Sequence, residues 1–134
     1  MNRIEHIGIA VKSLQVSIPI YEKLLKTTCY KTEEVESEGV RTAFFKVGES
    51  KIELLEATRP DSPIAKFIEK KGEGIHHIAF DVNNVQLTLN DLKSSGFDLI
   101  NDAPKEGADG KIIAFIHPKS TPGLLAEVCQ DKLK

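Results

Sequence analysis

Gly72-Glu73-Gly74-Ile75-His76-His77-Ile78-Ala79-Phe80-Asp81-Val82 decides how this chain folds. Glycine punctuation leads into an apolar alternation, which is the pattern of a β-strand. The same strand stands near the N-terminus as Ile4-Glu5-His6-Ile7-Gly8-Ile9-Ala10-Val11, and His77 follows His6 by 71 residues. The offset of 71 persists downstream, with Val85 matching Leu14, Leu89 matching Ile18 and Leu92 matching Tyr21. A helix therefore follows each strand in the same register. The chain is an internal duplication, with one histidine at the same place in each copy.

A length of 134 residues suits a single domain with a real core. A net charge of −2 argues against a nucleic-acid or membrane surface as the main partner. No N-terminal run resembles a signal peptide, and no segment is long enough to cross a bilayer. Cys29 and Cys129 are isolated, without C-x-x-C spacing. They read as small apolar residues in a reducing cytoplasm, not as a disulfide or a thiolate metal site.

Along residues 4–11, His6, Gly8 and Ala10 share one face, and Ile7, Ile9 and Val11 the other. Ser13 is the expected cap of a helix carrying Leu14, Ile18, Tyr21 and Leu25 on its apolar side. Pro19 lies too deep for the first turn, so a kink is expected, or a helix that tightens after it. Strands follow at about 29–36, 40–47 and 50–56, with Glu38-Gly39 and Gly48-Glu49 as turns. Ser62 and Pro63 open a connector helix, with Ile64, Phe67 and Ile68 inward and Gly72 as its stop. The second half then repeats the plan. A strand at 74–82 leads to a helix from Asn83 or Asn84 to about Ser95, with Gly96 at its C-cap. Strands near 97–100, 111–117 and 123–129 complete it.

The expected fold is thus α+β, with two β-α-β-β-β modules in one domain, 1–134. Module one covers about 1–58, the connector helix about 62–71 and module two about 72–131. Each module is too small to bury its own sheet, so the two should pack together as a curved mixed sheet around one cleft. Gly8, Ala10 and Ala79 on the histidine face would leave room for a ligand, or they are ordinary close packing.

The last strand of each module carries a carboxylate among apolar residues, in Lys51-Ile52-Glu53-Leu54-Leu55 and Leu124-Leu125-Ala126-Glu127-Val128. Glu127 follows Glu53 by 74 residues, so the second module has three more residues in its loops. A buried carboxylate needs a partner. One His and one Glu repeated at equivalent positions point to a metal held by His6, Glu53, His77 and Glu127. Two imidazoles and two carboxylates, with waters added, suit six-coordinate Co²⁺, Ni²⁺ or Mn²⁺ better than a closed tetrahedral Zn²⁺ site. His76 points to the opposite face and breaks the 71-residue register, so it reads as structural. A metal with open positions beside carboxylates is suited to acidifying a C–H next to a carbonyl, with a carboxylate taking the proton.

The duplicated plan resembles the vicinal oxygen chelate superfamily, which includes the glyoxalases and bleomycin resistance proteins. Within it, HIGIAV (6–11), YEKLL (21–25), GVRTAFF (39–45), KIELLE (51–56), DSPIAKFIEKKGEGIHHIAF (61–80) and HPKS (117–120) look like the methylmalonyl-CoA epimerase family. The long central stretch is the most specific of these. The resemblance implies that His6, Glu53, His77 and Glu127 are the metal ligands. It also implies an acyl-CoA thioester substrate that chelates the metal through its thioester carbonyl and free carboxylate, and a homodimer.

One position departs from that family. Some members are understood to carry a catalytic glutamate where this chain has Thr42, whose hydroxyl is far too weakly basic to replace it. Glu53 and Glu127 can take both acid/base roles, or Glu53 is a ligand only. The loop His117-Pro118-Lys119-Ser120-Thr121-Pro122-Gly123 offers Lys119, Ser120 and free backbone N–H groups to a substrate anion, or is an ordinary polar turn. Glyoxalase I, a lyase with the same two-His, two-Glu set, is the alternative, favoured by Thr42 and disfavoured by 61–80. A metal-free drug-sequestering protein is disfavoured by the retained ligand positions. An extradiol-type dioxygenase is disfavoured by the second carboxylate.

Overall fold

The computed structural model describes residues 1–132. The chain forms two compact units, one running from His6 to His76 and the other joining Met1–Glu5 to the residues from His77 onward. Among the described residues no helix is long and apolar enough to cross a membrane.

In the first unit the elements run β1 (Arg3–Ala10), α1 (Leu14–Leu25), β2 (Lys31–Val35), β3 (Val40–Val47), β4 (Ser50–Ala57) and α2 (Pro63–Lys71). The strands lie in the order β2-β3-β4-β1. Residues His6–Ala10 of β1 run parallel to Lys51–Leu55 of β4, and β3 is antiparallel to both β2 and β4. Ser13 caps α1, its side chain accepting from the Val16 amide. The helix runs unbroken through Pro19, where a kink or a late start was expected. Proline there removes only the bond to the Gln15 carbonyl, and both residues are exposed, so water can satisfy that oxygen. Ser62 and Pro63 open α2 as expected, and Gly72, at φ 78°, closes it. Gly39 adopts φ 63°, and a Cβ there would stand 2.9 Å from both Arg59 and Ser62, so only glycine fits this turn.

Opposite faces of β1 serve two clusters. Val11, Leu14, Ala43, Phe45 and Leu54 form one under α1, with Ile9 packed against it. Ala10, Val40, Leu55 and Ile64 form the other under α2. Ala10 is therefore close packing against α2, and it leaves no room for a ligand.

The second unit runs β5 (Gly74–Asp81), α3 (Val85–Ser94), β6 (Lys105–Glu106), β7 (Lys111–Ile116) and β8 (Ala126–Asp131), in the sheet order β5-β8-β7-β6. The N-terminus belongs here, because the Asn2 amide donates to Asp81 O at 2.8 Å and its side chain donates to Asp81 and Asn83. Val82, Val85, Leu89, Ala114, Ile116, Ala126 and Val128 form its core. Ala79 packs with Ile113 and Cys129, and it too is close packing. Asn84 caps α3, and Gly96 stands just past the cap residue Ser95, with φ 95°.

Two strands differ from expectation. The segment 97–100 makes only one bridge, Leu99 to Ile116. Its amides are spent elsewhere, Phe97 on the end of α3 and Asp98 on Ser120 Oγ, and the short strand β6 takes the ladder position instead. The last strand starts at Ala126, not 123, because Thr121 and Leu124 bond each other in a turn.

Register makes the duplication explicit. Gly8, Glu53 and Phe44 sit side by side across β1, β4 and β3. Ala79, Glu127 and Phe115 do the same across β5, β8 and β7. Each helix also receives its first amide bond from the last strand of its own unit, Leu14 N–H to Glu56 Oε1 and Val85 N–H to Gln130 Oε1, both at 2.6 Å.

Two predictions follow from these contacts. Glu56→Ala orphans the first amide of α1 and should lower unfolding stability by about 1 kcal/mol, read as a shifted denaturant midpoint at unchanged slope. An unshifted midpoint would show that water replaces that carboxylate without loss. Burial pushes the Cys129 thiol well above its ordinary range, with Glu127 and Glu5 adding to the effect. Because thiolate is the reactive form, Cys129 should resist an aromatic disulfide reagent at pH 8 in the native protein and react only on unfolding. Half-buried Cys29 should be the faster thiol.

Candidate metal centre

Strand alternation aims the candidate side chains. On one face of the first unit, β1 presents His6, Gly8 and Ala10, β4 presents Lys51, Glu53 and Leu55, and β3 presents Thr42 and Phe44. His6 Nδ1 lies 3.2 Å from Glu53 Oε2, with both side chains about 95% removed from solvent (6% and 5% exposed). Lys51 joins them from two residues upstream on β4, its Nζ 3.7 Å from the same Glu53 oxygen and 5.6 Å from the centre of the Phe44 ring. Thr42 is buried on β3 opposite Leu55, one step along the face from Glu53.

The second unit builds the same pair from the equivalent positions. His77 Nε2 lies 3.2 Å from Glu127 Oε1, again with both side chains buried. Phe115, opposite Glu127, meets the His77 ring edge-on, with centroids 5.7 Å apart at 87°. The position matching Lys51, two residues before the glutamate, is Leu125.

His6 thus meets Glu53 and His77 meets Glu127, as the residue pattern predicts. His76 is half-buried on the other side of its strand and packs edge-on against Phe67 of α2 at 5.0 Å, a structural role. Lys119 and Ser120 lie on the turn after β7, tied to Asp98. Lys119 Nζ is 3.3 Å from an Asp98 carboxylate oxygen, and Ser120 Oγ accepts from the Asp98 amide. The amides expected to be free for an anion are committed within the turn. Lys119 N–H donates to His117 Nδ1, Ser120 N–H to His117 O and Thr121 N–H to Pro118 O. What remains for a ligand is the Lys119 ammonium and the Ser120 hydroxyl proton.

Sequence reasoning missed Lys51, Phe44 and Phe115. A signal existed for each. Phe115 follows Phe44 by 71 residues, and Lys51 precedes Glu53 by two, which puts both on one face.

The residues fit a divalent metal. Two donors each about 2.1 Å from one ion lie about 3 Å apart when they subtend a right angle. Each imidazole–carboxylate pair, at 3.2 Å, is already near that separation. Two nitrogens and two carboxylate oxygens are also the donor set of borderline divalent ions.

Comparison with known proteins agrees with this architecture. Residues 5–115 match the model of the Glyoxalase/Bleomycin resistance protein/Dioxygenase superfamily. The chain is 46% identical over 132 residues to uncharacterized protein YqjC of Bacillus subtilis, covering 98% of this chain and 94% of that one. It is 35% identical over 131 residues to human mitochondrial methylmalonyl-CoA epimerase, covering 97% of this chain and 74% of the human protein. A crystallised variant of Streptomyces coelicolor methylmalonyl-CoA epimerase, in complex with 2-nitronate-propionyl-CoA, superposes with a TM-score of 0.93 at 37% identity, covering 98% and 95% of the two chains. The chain therefore belongs to the glyoxalase/bleomycin resistance protein/dioxygenase superfamily, on a tandem α+β scaffold. Within that superfamily it is a member of the methylmalonyl-CoA epimerase family, whose enzymes are isomerases.

The contact of His76 with Phe67 generates its own test. A double-mutant cycle with His76→Ala and Phe67→Ala should return a coupling of about 1 kcal/mol in unfolding free energy. Additive effects would mean that the ring contact contributes nothing.

Proposed function

We propose that the protein is a metal-dependent epimerase that interconverts the C2 epimers of methylmalonyl-CoA. In this reading His6, Glu53, His77 and Glu127 are four ligands of one divalent ion, Co²⁺, Ni²⁺ or Mn²⁺ before Zn²⁺, in a single cleft. The observation that carries it is the buried imidazole–carboxylate pair present once in each unit of a chain 35% identical to the human epimerase. A homodimer in the cytoplasm is part of the same reading, supported by the family resemblance and by the two unpaired cysteines.

The bound metal would supply Lewis acidity at the substrate's carbonyl oxygen, making the C2 proton more acidic. The chain's own residues do the rest. A carboxylate on one side of C2 takes the proton, and the electron pair of the C–H bond moves onto the thioester as an enolate. A carboxylic acid on the other side returns a proton to the opposite face, so no atom or electron is gained overall. Thr42 is no proton acceptor, which leaves Glu53 and Glu127 as the two acid/base groups. Phe44 and Phe115, each opposite one of those glutamates, keep the carboxylates dry. Lys119 and Ser120 contact the substrate through the ammonium and the hydroxyl that the turn leaves available. The 2-nitronate-propionyl-CoA held by the Streptomyces relative is an acyl-CoA with an anionic group at C2, the chemistry such a site would hold.

Thr42 also favours a second reading, glyoxalase I acting on a methylglyoxal–glutathione hemithioacetal. Both are tested on one preparation by deuterium wash-in at C2 of methylmalonyl-CoA and a parallel methylglyoxal–glutathione assay. Epimerisation without glyoxalase turnover is expected, and the reverse would transfer the assignment. Glu127→Gln and Glu53→Gln should each keep the metal, since an amide oxygen still coordinates, yet slow epimerisation on the order of 10²–10⁴-fold. Wild-type turnover by Glu53→Gln would reduce Glu53 to a ligand.

A further inference from the structure

We propose that Lys51 is the residue that orients the substrate, by binding the free carboxylate of the malonyl group at the His6–Glu53 half of the site. The inference rests on the epimerase reading and goes beyond it in naming the recognition residue.

The argument starts from position. Lys51 is the strand neighbour of His6 and stands two residues before Glu53, so the three side chains share a face of adjacent strands. A lysine is rarely buried unless a negative partner stands close. Here the side chain is 6% exposed, while Glu53 is a long partner at 3.7 Å, an ion pair outside hydrogen-bond range. The Phe44 ring beneath the ammonium fixes its height above the sheet and shields it from water. A dry, fixed cation beside a candidate metal ligand is a strong site for a second anion.

Charge then sets direction. The first half of the site carries Glu53 and Lys51, which cancel. The matching half carries Glu127 with Leu125 in place of the lysine, and so offers a net negative charge to any ligand. A substrate with one anionic arm and one thioester arm is driven to put its carboxylate beside Lys51. A methylmalonyl thioester placed by its carboxylate presents a defined face of C2 to each glutamate, which epimerisation requires.

The test compares methylmalonyl-CoA with propionyl-CoA, which lacks only the carboxylate. Affinities of the metal-loaded wild-type protein, Lys51→Met and Lys51→Arg for both thioesters are measured by calorimetry. The ratio of the two affinities is the readout, because any uniform damage through Glu53 or the fold cancels in it. The wild-type protein and Lys51→Arg should favour the carboxylated ligand, and Lys51→Met should lose at least tenfold of that preference. Lys51→Gln, neutral but polar, gives the same readout if Lys51→Met does not fold. A neutral variant that keeps the wild-type ratio overturns the proposal, whether its absolute affinities hold or fall together. Failure of the epimerase reading itself would look different, since the wild-type protein would then not exchange the C2 proton of methylmalonyl-CoA at all.

Discussion

A carboxylate taken out of water must be matched by a partner, and this fold twice places one at the centre of a sheet face with an imidazole 3.2 Å away. An isolated buried charge of that kind costs several kcal/mol. The surrounding structure is arranged around meeting that cost. Glu53 and Glu127 each sit on the last long strand of their unit, beside the strand that carries the histidine. Parallel pairing is what allows the two side chains to rise from one face at this spacing. A slip of one residue in either register would turn the carboxylate into the apolar cluster under the helix. The position of the helix N-terminus depends on the same strand, since Glu56 and Gln130, three residues past each glutamate, hold the first amide of α1 and α3.

The two units share a plan and differ where chemistry differs. Phe44 and Phe115, Gly8 and Ala79, and the paired caps Ser13 and Asn84 are duplicated in place. Lys51 has no counterpart, because Leu125 fills its position. The donor sets of the two halves are therefore alike while their net charges are not. A symmetric pair of carboxylates suits moving a proton between two faces of one carbon, and an asymmetric charge suits holding an unsymmetrical substrate still while that happens.

Much of this was legible in the residues alone. The 71-residue spacing of His6 and His77 announced the duplication, alternation separated His77 from His76, and Ser62-Pro63 announced α2. What was missed has physical causes. Residues 97–100 have the composition of a strand, but their amides are claimed by the end of α3 and by Ser120, a long-range competition that no local pattern reveals. The turn 117–124 reads as an open anion cradle, yet its amides close on one another. Ala10 and Ala79 are small because Ile64 and Ile113 press against them, a packing partner that one-dimensional alternation does not name. Lys51 was passed over because a lysine in a strand is expected to reach for solvent, and burial is known only in three dimensions.

The claim at the centre is that the two imidazole–carboxylate pairs act together on one ion. X-ray absorption on the Co²⁺-loaded protein, with metal content measured per chain, tests it most directly. The account predicts one cobalt per chain in a six-coordinate nitrogen and oxygen shell containing two imidazoles, falling to one imidazole in either His6→Ala or His77→Ala. Two ions per chain with one imidazole each, or a cobalt shell unchanged by both substitutions, would contradict it.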